Sequence, residues 1–166
     1  MKVNIALLTV TDTRTFDNDK SGAILVDKIK EANHNLLDRK ICKDNKDEIV
    51  LILKEWLKNE KIDVIITTGG TGLTGRDITP EALEEIADKH IPGFGEVFRN
   101  ISLETVGTSS IQSRACAILA NGKYIFALPG SSGGVTDAWD KILVHQLDIN
   151  HKPCNFVELF PRLKEK

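Results

Sequence analysis

Between Thr67 and Ala82 the chain reads Thr-Thr-Gly-Gly-Thr-Gly-Leu-Thr-Gly-Arg-Asp-Ile-Thr-Pro-Glu-Ala, and this run constrains the fold more than any other. Upstream, Asp63-Val64-Ile65-Ile66 has the short, β-branched look of a strand buried on both faces. Downstream, Thr79-Pro80-Glu81 reads as a helix start: a capping hydroxyl, a proline whose missing N–H costs nothing there, and a carboxylate at the positive end of the dipole. A glycine-rich loop between a strand end and a helix is where α/β proteins hold anions. Its glycines let backbone N–H groups close on phosphate oxygens, and Thr67, Thr68 and Thr71 add hydroxyls. The alternative is a mobile glycine turn.

Two common nucleotide signatures do not fit. A Walker A loop ends in Gly-Lys-Ser/Thr, whereas Gly75 is followed by Arg76-Asp77. The dinucleotide spacing can be laid on Gly70-Thr71-Gly72-Leu73-Thr74-Gly75, but the helix begins only after Thr79, too late to open from the glycines.

Around this loop the periodicity predicts strands at 3–10, 37–42 and 62–68 and helices at 21–31, 47–59 and 80–89. That βαβαβα order implies a mostly parallel sheet with helices on both faces and right-handed crossovers. A helix at 94–106 and a turn at 110–113 follow. Apolar runs at 115–120 and 123–128 are joined by Asn121-Gly122, a hairpin signal that adds one antiparallel strand. A last helix runs from 133 to about 150, and the tail from Lys152 reads as irregular. The fold class is therefore α/β in three layers. A length of 166 residues suits a single domain, 1–166, that buries about 70% of its unfolded surface.

Composition excludes several classes. Net charge is −2 with interspersed signs, so no nucleic-acid or membrane surface is expected. No segment approaches the roughly 20 apolar residues of a membrane span, and the N-terminus lacks a signal-peptide pattern. Cys42, Cys116 and Cys154 are far apart and unpaired by motif, which suits a reducing cytoplasm; they read as buried or half-buried structural residues. His34, His90, His145 and His151 have no metal-ligand spacing, and no serine lies on a G-x-S-x-G elbow.

Two carboxylates flank the loop. Asp77 lies just beyond the glycines, and Asp44 follows the second strand at the same carboxyl edge of the sheet. A carboxylate beside a phosphate repels it unless a cation intervenes, so the pair points to Mg²⁺. The alternative is that Asp44 caps a turn and Asp77 pairs with Arg76. Thr11-Asp12-Thr13-Arg14 and Leu128-Pro129-Gly130-Ser131 supply two more loops after strands. Arg14 suits a phosphate or plain solvent; Pro129, Gly130 and Ser131 suit ribose or base, or a serine-capped helix start.

The whole pattern resembles the MoaB/MogA family of molybdenum cofactor biosynthesis, related to the G domain of gephyrin. The resemblance rests on Thr67–Ala82, on Thr9–Arg14 with Ser21-Gly22, and on Pro92–Glu96, Ser113–Ala115 and Leu128–Ser131, in family order. Gln146–Asp148 and Lys152–Phe156 are closer to MoaB than to MogA. It implies a MogA-like fold, trimers or hexamers, and an adenylyl transfer in which the terminal phosphate of molybdopterin attacks the α-phosphate of Mg-ATP. In that frame Asp77 and Asp44 are the catalytic and metal-holding residues. Thr11, Thr13, Thr68, Gly69, Gly70, Thr71, Gly72, Glu96, Ser113, Arg114, Pro129, Gly130 and Ser131 form the substrate and nucleotide surface. Some MoaB-type proteins lack the activity and have lost the Arg-Asp-x-Thr-Pro pattern after the glycines; this chain keeps Arg76-Asp77-Ile78-Thr79-Pro80. A non-catalytic molybdopterin-binding accessory protein is the alternative.

Overall fold

A computed structural model describes residues 1–165. Six strands form one sheet in the order β2-β1-β3-β6-β5-β4. The parallel part comprises β1 (Asn4–Val10), β2 (Asn35–Cys42), β3 (Val64–Thr68) and β6 (Lys123–Leu128). β5 (Cys116–Ala120) runs against β6. The two-residue β4 (Lys89–His90) runs against β5, so β5 alone opposes the rest. The expected mixed sheet with one reversed strand is therefore the observed one.

Alternation along the strands divides the core. Ile5, Leu7, Val64, Ile66, Tyr124 and Phe126 face one layer, made by α1 (Lys20–Glu31), α4 (Pro92–Val106) and α5 (Ser132–Ala138). That last helix continues through a π-helical turn (Trp139–Leu143) into α6 (Val144–Gln146). Ala6, Leu8, Ile65, Ile125 and Ala127 face the other layer, made by α2 (Lys46–Lys58) and α3 (Thr79–Ile86). All five residues of β3 are buried, as a central strand covered on both faces requires.

Several boundaries differ from the sequence reading, each for a local reason. The 80–89 helix stops at Ile86, because Asp88 N and Ile91 N donate to the Leu119 and Ala117 carbonyls and so create β4. Asn121 and Gly122 both have positive φ (46° and 70°), the conformation a tight hairpin demands and glycine adopts without strain. The last helix ends at Gln146 rather than near 150, and the tail is packed: Phe156 and Phe160 set tilted rings against Tyr124, around a 3₁₀ turn at Val157–Arg162. Cys42 is buried and Cys116 half-buried, but Cys154 is exposed. Burial pushes the first two thiols up to about 12 and about 11, so they stay protonated. Among the described residues, no helix is long and apolar enough to cross a membrane.

The topology fixes where a ligand can sit. From β1 the chain moves outward to β2, then returns past β1 to β3, with α1 and α2 on opposite faces. The order reverses between β1 and β3, which opens a crevice beyond their carboxyl ends. Paired register brings those ends level: Thr9 lies beside Thr68, and Thr68 beside Leu128.

One buried charge ties this region together. Asp19 caps α1 by accepting from Gly22 N (3.0 Å), and it also accepts from Thr9 Oγ1 (2.6 Å) and Arg39 Nη2 (3.0 Å). Burial opposes ionisation of its carboxyl, but the bonds from Thr9, Gly22 and Arg39 outweigh it and hold the carboxyl below the usual range. A carboxyl lowered in the folded state contributes stability above the unfolded value of about 4 and loses it as pH falls below that. Denaturant titrations at pH 7 and pH 3 should therefore show Asp19→Asn less stable than wild type at pH 7 but with a smaller loss on acidification.

Candidate functional site

Four loops meet beyond the carboxyl ends of β1, β2, β3 and β6, and the tightest contacts are between the last two. Gly69 N donates to Leu128 O (3.0 Å), and Thr68 Oγ1 donates to Pro129 O (2.7 Å). Gly69 has φ +101°, and a Cβ there would lie 2.1 Å from the Val10 carbonyl oxygen. A side chain at this position is thus excluded twice, by backbone conformation and by β1. Thr79, expected to cap α3, is instead its first residue; Ile78 precedes it and makes no side-chain cap. The Thr79 hydroxyl is drawn inward to donate to Gly69 O (2.9 Å), while Thr79 N donates to Gly70 O (3.0 Å). The helix start therefore clamps the loop.

Arg114 holds the loop from the other side. Its backbone N donates to Thr71 O (2.9 Å), and its guanidinium donates to Gly72 O (2.7 Å), Asp77 O (3.0 Å) and the Glu81 carboxylate. The Arg114 guanidinium in turn holds the Glu81 carboxyl below the usual range. Arg114, grouped by resemblance with the substrate surface, is committed to the protein; nothing in the sequence singles out its partner Glu81 for this pairing.

Two carboxylates approach the glycines themselves. Asp44 Oδ1 would lie 3.2 Å from a Cβ on Gly70, and Asp77 Oδ2 2.7 Å from one on Gly72. Asp77 does not pair with Arg76. It accepts from Thr74 N (2.9 Å) and Thr74 Oγ1 (2.7 Å), and these bonds prevail over burial to keep its carboxyl low. Arg76 reaches the other way, bidentate on Asp12 at 2.9 Å through both Nε and Nη2. Asp12 is an addition to the expected site; it accepts from Asp44 N (3.2 Å) and so brings the first loop onto the second. Burial, then the nearby charges of Asp12 and Asp77, push the Asp44 carboxyl up. Those charges are what a bound cation would relieve. Among the described residues no three His, Cys, Asp or Glu side chains close on one point.

Between the glycine loop and α4 lies a cleft of about 840 Å³, within the range of small-molecule sites. Gly70, Thr71, Gly72 and Asp77 form one wall, and Pro129, Gly130 and Ser131 another. Ser113 lines it too, with its hydroxyl accepting from Ala115 N (3.3 Å). The facing wall, Ser102, Thr105, Ser110 and Asp137, was invisible in the sequence because polar residues on helices and turns read as a solvated face. Ser131 also caps α5 by accepting from Gly134 N (3.1 Å). Thr11 Oγ1 accepts from the backbone of Thr13 and Arg14, each at 3.3 Å, and so shapes its own loop; Thr13 is exposed. Thr67 is buried with an unpartnered hydroxyl, and alternation turns it to the α2/α3 layer rather than the cleft. Glu96 is not brought in: it lies in a separate hollow with His90, Arg99 and Cys116.

The clamp at Gly69 gives a direct test. Gly69→Ala should lower unfolding free energy by roughly 2–5 kcal/mol, from positive φ and the clash with Val10, as read by urea denaturation.

Comparison with known proteins agrees with this architecture. Residues 6–149 match a family model described as "Probable molybdopterin binding domain". Molybdenum cofactor biosynthesis protein B of Escherichia coli K12 is 45% identical over 161 residues, covering 97% of this chain and 93% of that protein. A crystal structure of a molybdenum cofactor biosynthesis protein B superposes with a TM-score of 0.89 at 38% identity, over 100% of this chain and 98% of that one. The molybdopterin biosynthesis enzyme MoaB of Thermus thermophilus gives a TM-score of 0.76 at 29% identity, over 85% and 89% of the two chains. With a glycine loop, a level carboxyl edge and matches of this length, the chain belongs to the MoaB family of molybdenum cofactor biosynthesis proteins.

Proposed function

We propose that this chain adenylylates molybdopterin. An oxygen of the terminal phosphate of molybdopterin bonds to the α-phosphorus of ATP, the bond from that phosphorus to the bridging oxygen breaks, and pyrophosphate leaves. The observation that carries the reading is the placement of Asp44 and Asp77 against the glycines of an anion loop, with the Asp44 carboxyl raised by burial and by its acidic neighbours.

In this reading the backbone from Gly70 to Gly72, with Thr71, cradles phosphate oxygens. Pro129, Gly130 and Ser131 hold the nucleotide or pterin across the cleft. Asp44 and Asp77 would hold Mg²⁺, which supplies charge neutralisation at the transferring phosphoryl group. The protein's own contribution is alignment, which suffices for a transfer that needs no protein nucleophile. The Arg114 clamp keeps the loop open and fixed, so little reorganisation accompanies binding.

One observation favours the accessory-protein reading. Two hydrogen bonds from Thr74 close a local turn onto the Asp77 carboxylate, which is what a purely structural aspartate would accept. Pyrophosphate release separates the two. With Mg-ATP, wild-type protein should release pyrophosphate only when molybdopterin is present, and Asp77→Asn should reduce the rate by ~100-fold or more while still binding pterin. Pterin binding by wild type without release would overturn transfer and leave a carrier.

We further propose a homo-oligomer acting in a reducing cytoplasm. One feature supports self-association: the end of α4 and the 3₁₀ turn after it leave Leu103, Val106 and Ile111 48–78% exposed. Sedimentation velocity should give a single species larger than a monomer, and Ile111→Asp should shift it to the monomer.

A further inference from the structure

Arg14 links the loop after β1 to the loop after β6. Its Nη1 donates both to Ser21 Oγ (3.1 Å) and to Gly130 O (3.1 Å). Gly130 in turn lies against the glycine loop, since a Cβ on it would be 3.3 Å from Gly69 Cα. The guanidinium is therefore anchored at the seam where two candidate ligand loops touch.

What anchors it is a directed chain. The Ser21 hydroxyl accepts from Arg14 and turns its own hydrogen to Asp19 Oδ1 (3.4 Å). Asp19 is fixed by Gly22 N, Thr9 Oγ1 and Arg39 Nη2, and its side chain is wholly buried. The charge balance is informative. Arg39 neutralises Asp19, and the intervening serine passes on orientation without charge. Arg14 has no carboxylate of its own among the described residues, and its Nε and Nη2 hydrogens have no protein partner there. An arginine presents five N–H donors in a rigid fork suited to phosphate oxygens. Here Nη1 holds position on two neutral oxygens, and the Nε and Nη2 edge of the fork is left to a ligand.

We propose that Asp19 is a positioning residue: acting through Ser21, it presents the unneutralised guanidinium of Arg14 to a phosphate group bound at the seam of the Gly69 and Gly130 loops. The proposal rests on the phosphate-bearing ligands of the function proposed above. The shared chemistry is a phosphate group, which either the nucleotide or the pterin supplies.

The test is a calorimetric cycle at fixed ionic strength, with Mg-ATP and molybdopterin titrated separately into wild type, Arg14→Gln, Ser21→Ala and the double variant. Ser21→Ala stands in for Asp19→Asn, which risks the fold. Arg14→Gln should weaken one ligand by ~10-fold or more, as expected for a charge-assisted contact. Loss against Mg-ATP assigns the arm to the nucleotide, and loss against molybdopterin assigns it to the pterin phosphate. Ser21→Ala should weaken the same ligand several-fold with melting temperature nearly unchanged, and the double variant should bind no worse than Arg14→Gln alone. In NMR spectra the Arg14 Hη resonances, separate in wild type, should merge in Ser21→Ala as the anchor is lost. Unchanged affinity of Arg14→Gln for both ligands, or strictly additive losses, would overturn the proposal. If pterin-dependent pyrophosphate release persists alongside that result, only this inference fails. Absence of binding by wild type to both ligands overturns it together with the proposed function.

Discussion

The short bridge between β3 and β6 governs everything at the ligand edge. Gly69 N on Leu128 O and Thr68 Oγ1 on Pro129 O continue the sheet's ladder past its last residues, so the two loops begin already joined. Because they start joined, Thr79 and Arg114 need only trim the glycine run from either side, one through Gly69 O and the other through Gly72 O. Without that bridge each loop would be a flexible excursion that loses its own ordering entropy on binding. The fully buried β3 makes the bridge possible, since a strand covered on both faces cannot fray easily.

Charge is arranged in two unequal camps around this bridge. On the α3 side Arg114 and Glu81 neutralise one another and touch the loop only through backbone carbonyls. On the β1–β2 side Asp12 and Arg76 form an exposed pair, which in water is worth little, while Asp44 stays raised beside them. The first camp is neutralised within the protein, whereas in the second burial and the charges of Asp12 and Asp77 leave the Asp44 carboxyl raised.

Most of the architecture was legible in the sequence because it is written in periodicity. The continuous apolar runs of β1 and β3 and the Asn121-Gly122 turn each depend on neighbours a few positions away. What was illegible depends on partners distant in sequence. β4 is two residues long and exists only because Leu119 and Ala117 offer carbonyls to its flanks. Thr79 looks like a cap until Gly69, ten positions earlier, is found within reach of its hydroxyl. Arg76 and Asp77 are adjacent and oppositely charged, yet the backbone turn that bonds Asp77 to Thr74 sends Arg76 across to Asp12, 64 positions away. At the candidate site, residue types were readable and their pairings were not. Thr67 and Thr68 are neighbours of the same type, and strand alternation alone sends one to the bridge and the other into the opposite layer. Glu96, which resemblance assigned to the rim, lines a separate hollow between the start of α4, β4 and the start of β5.

The reversed direction of β5 has a geometric result for the whole site. Cys116, its first residue, pairs with Ala127 near the end of β6, so the chain enters β5 at the edge where the parallel strands leave. Ser113 and Arg114, which come just before it, are thereby delivered to the glycine loop. Had the strand run the other way, its five residues would have put them about 17 Å off, at the far rim. A single antiparallel strand thus lets a segment that precedes a strand do work that an all-parallel sheet reserves for segments that follow one.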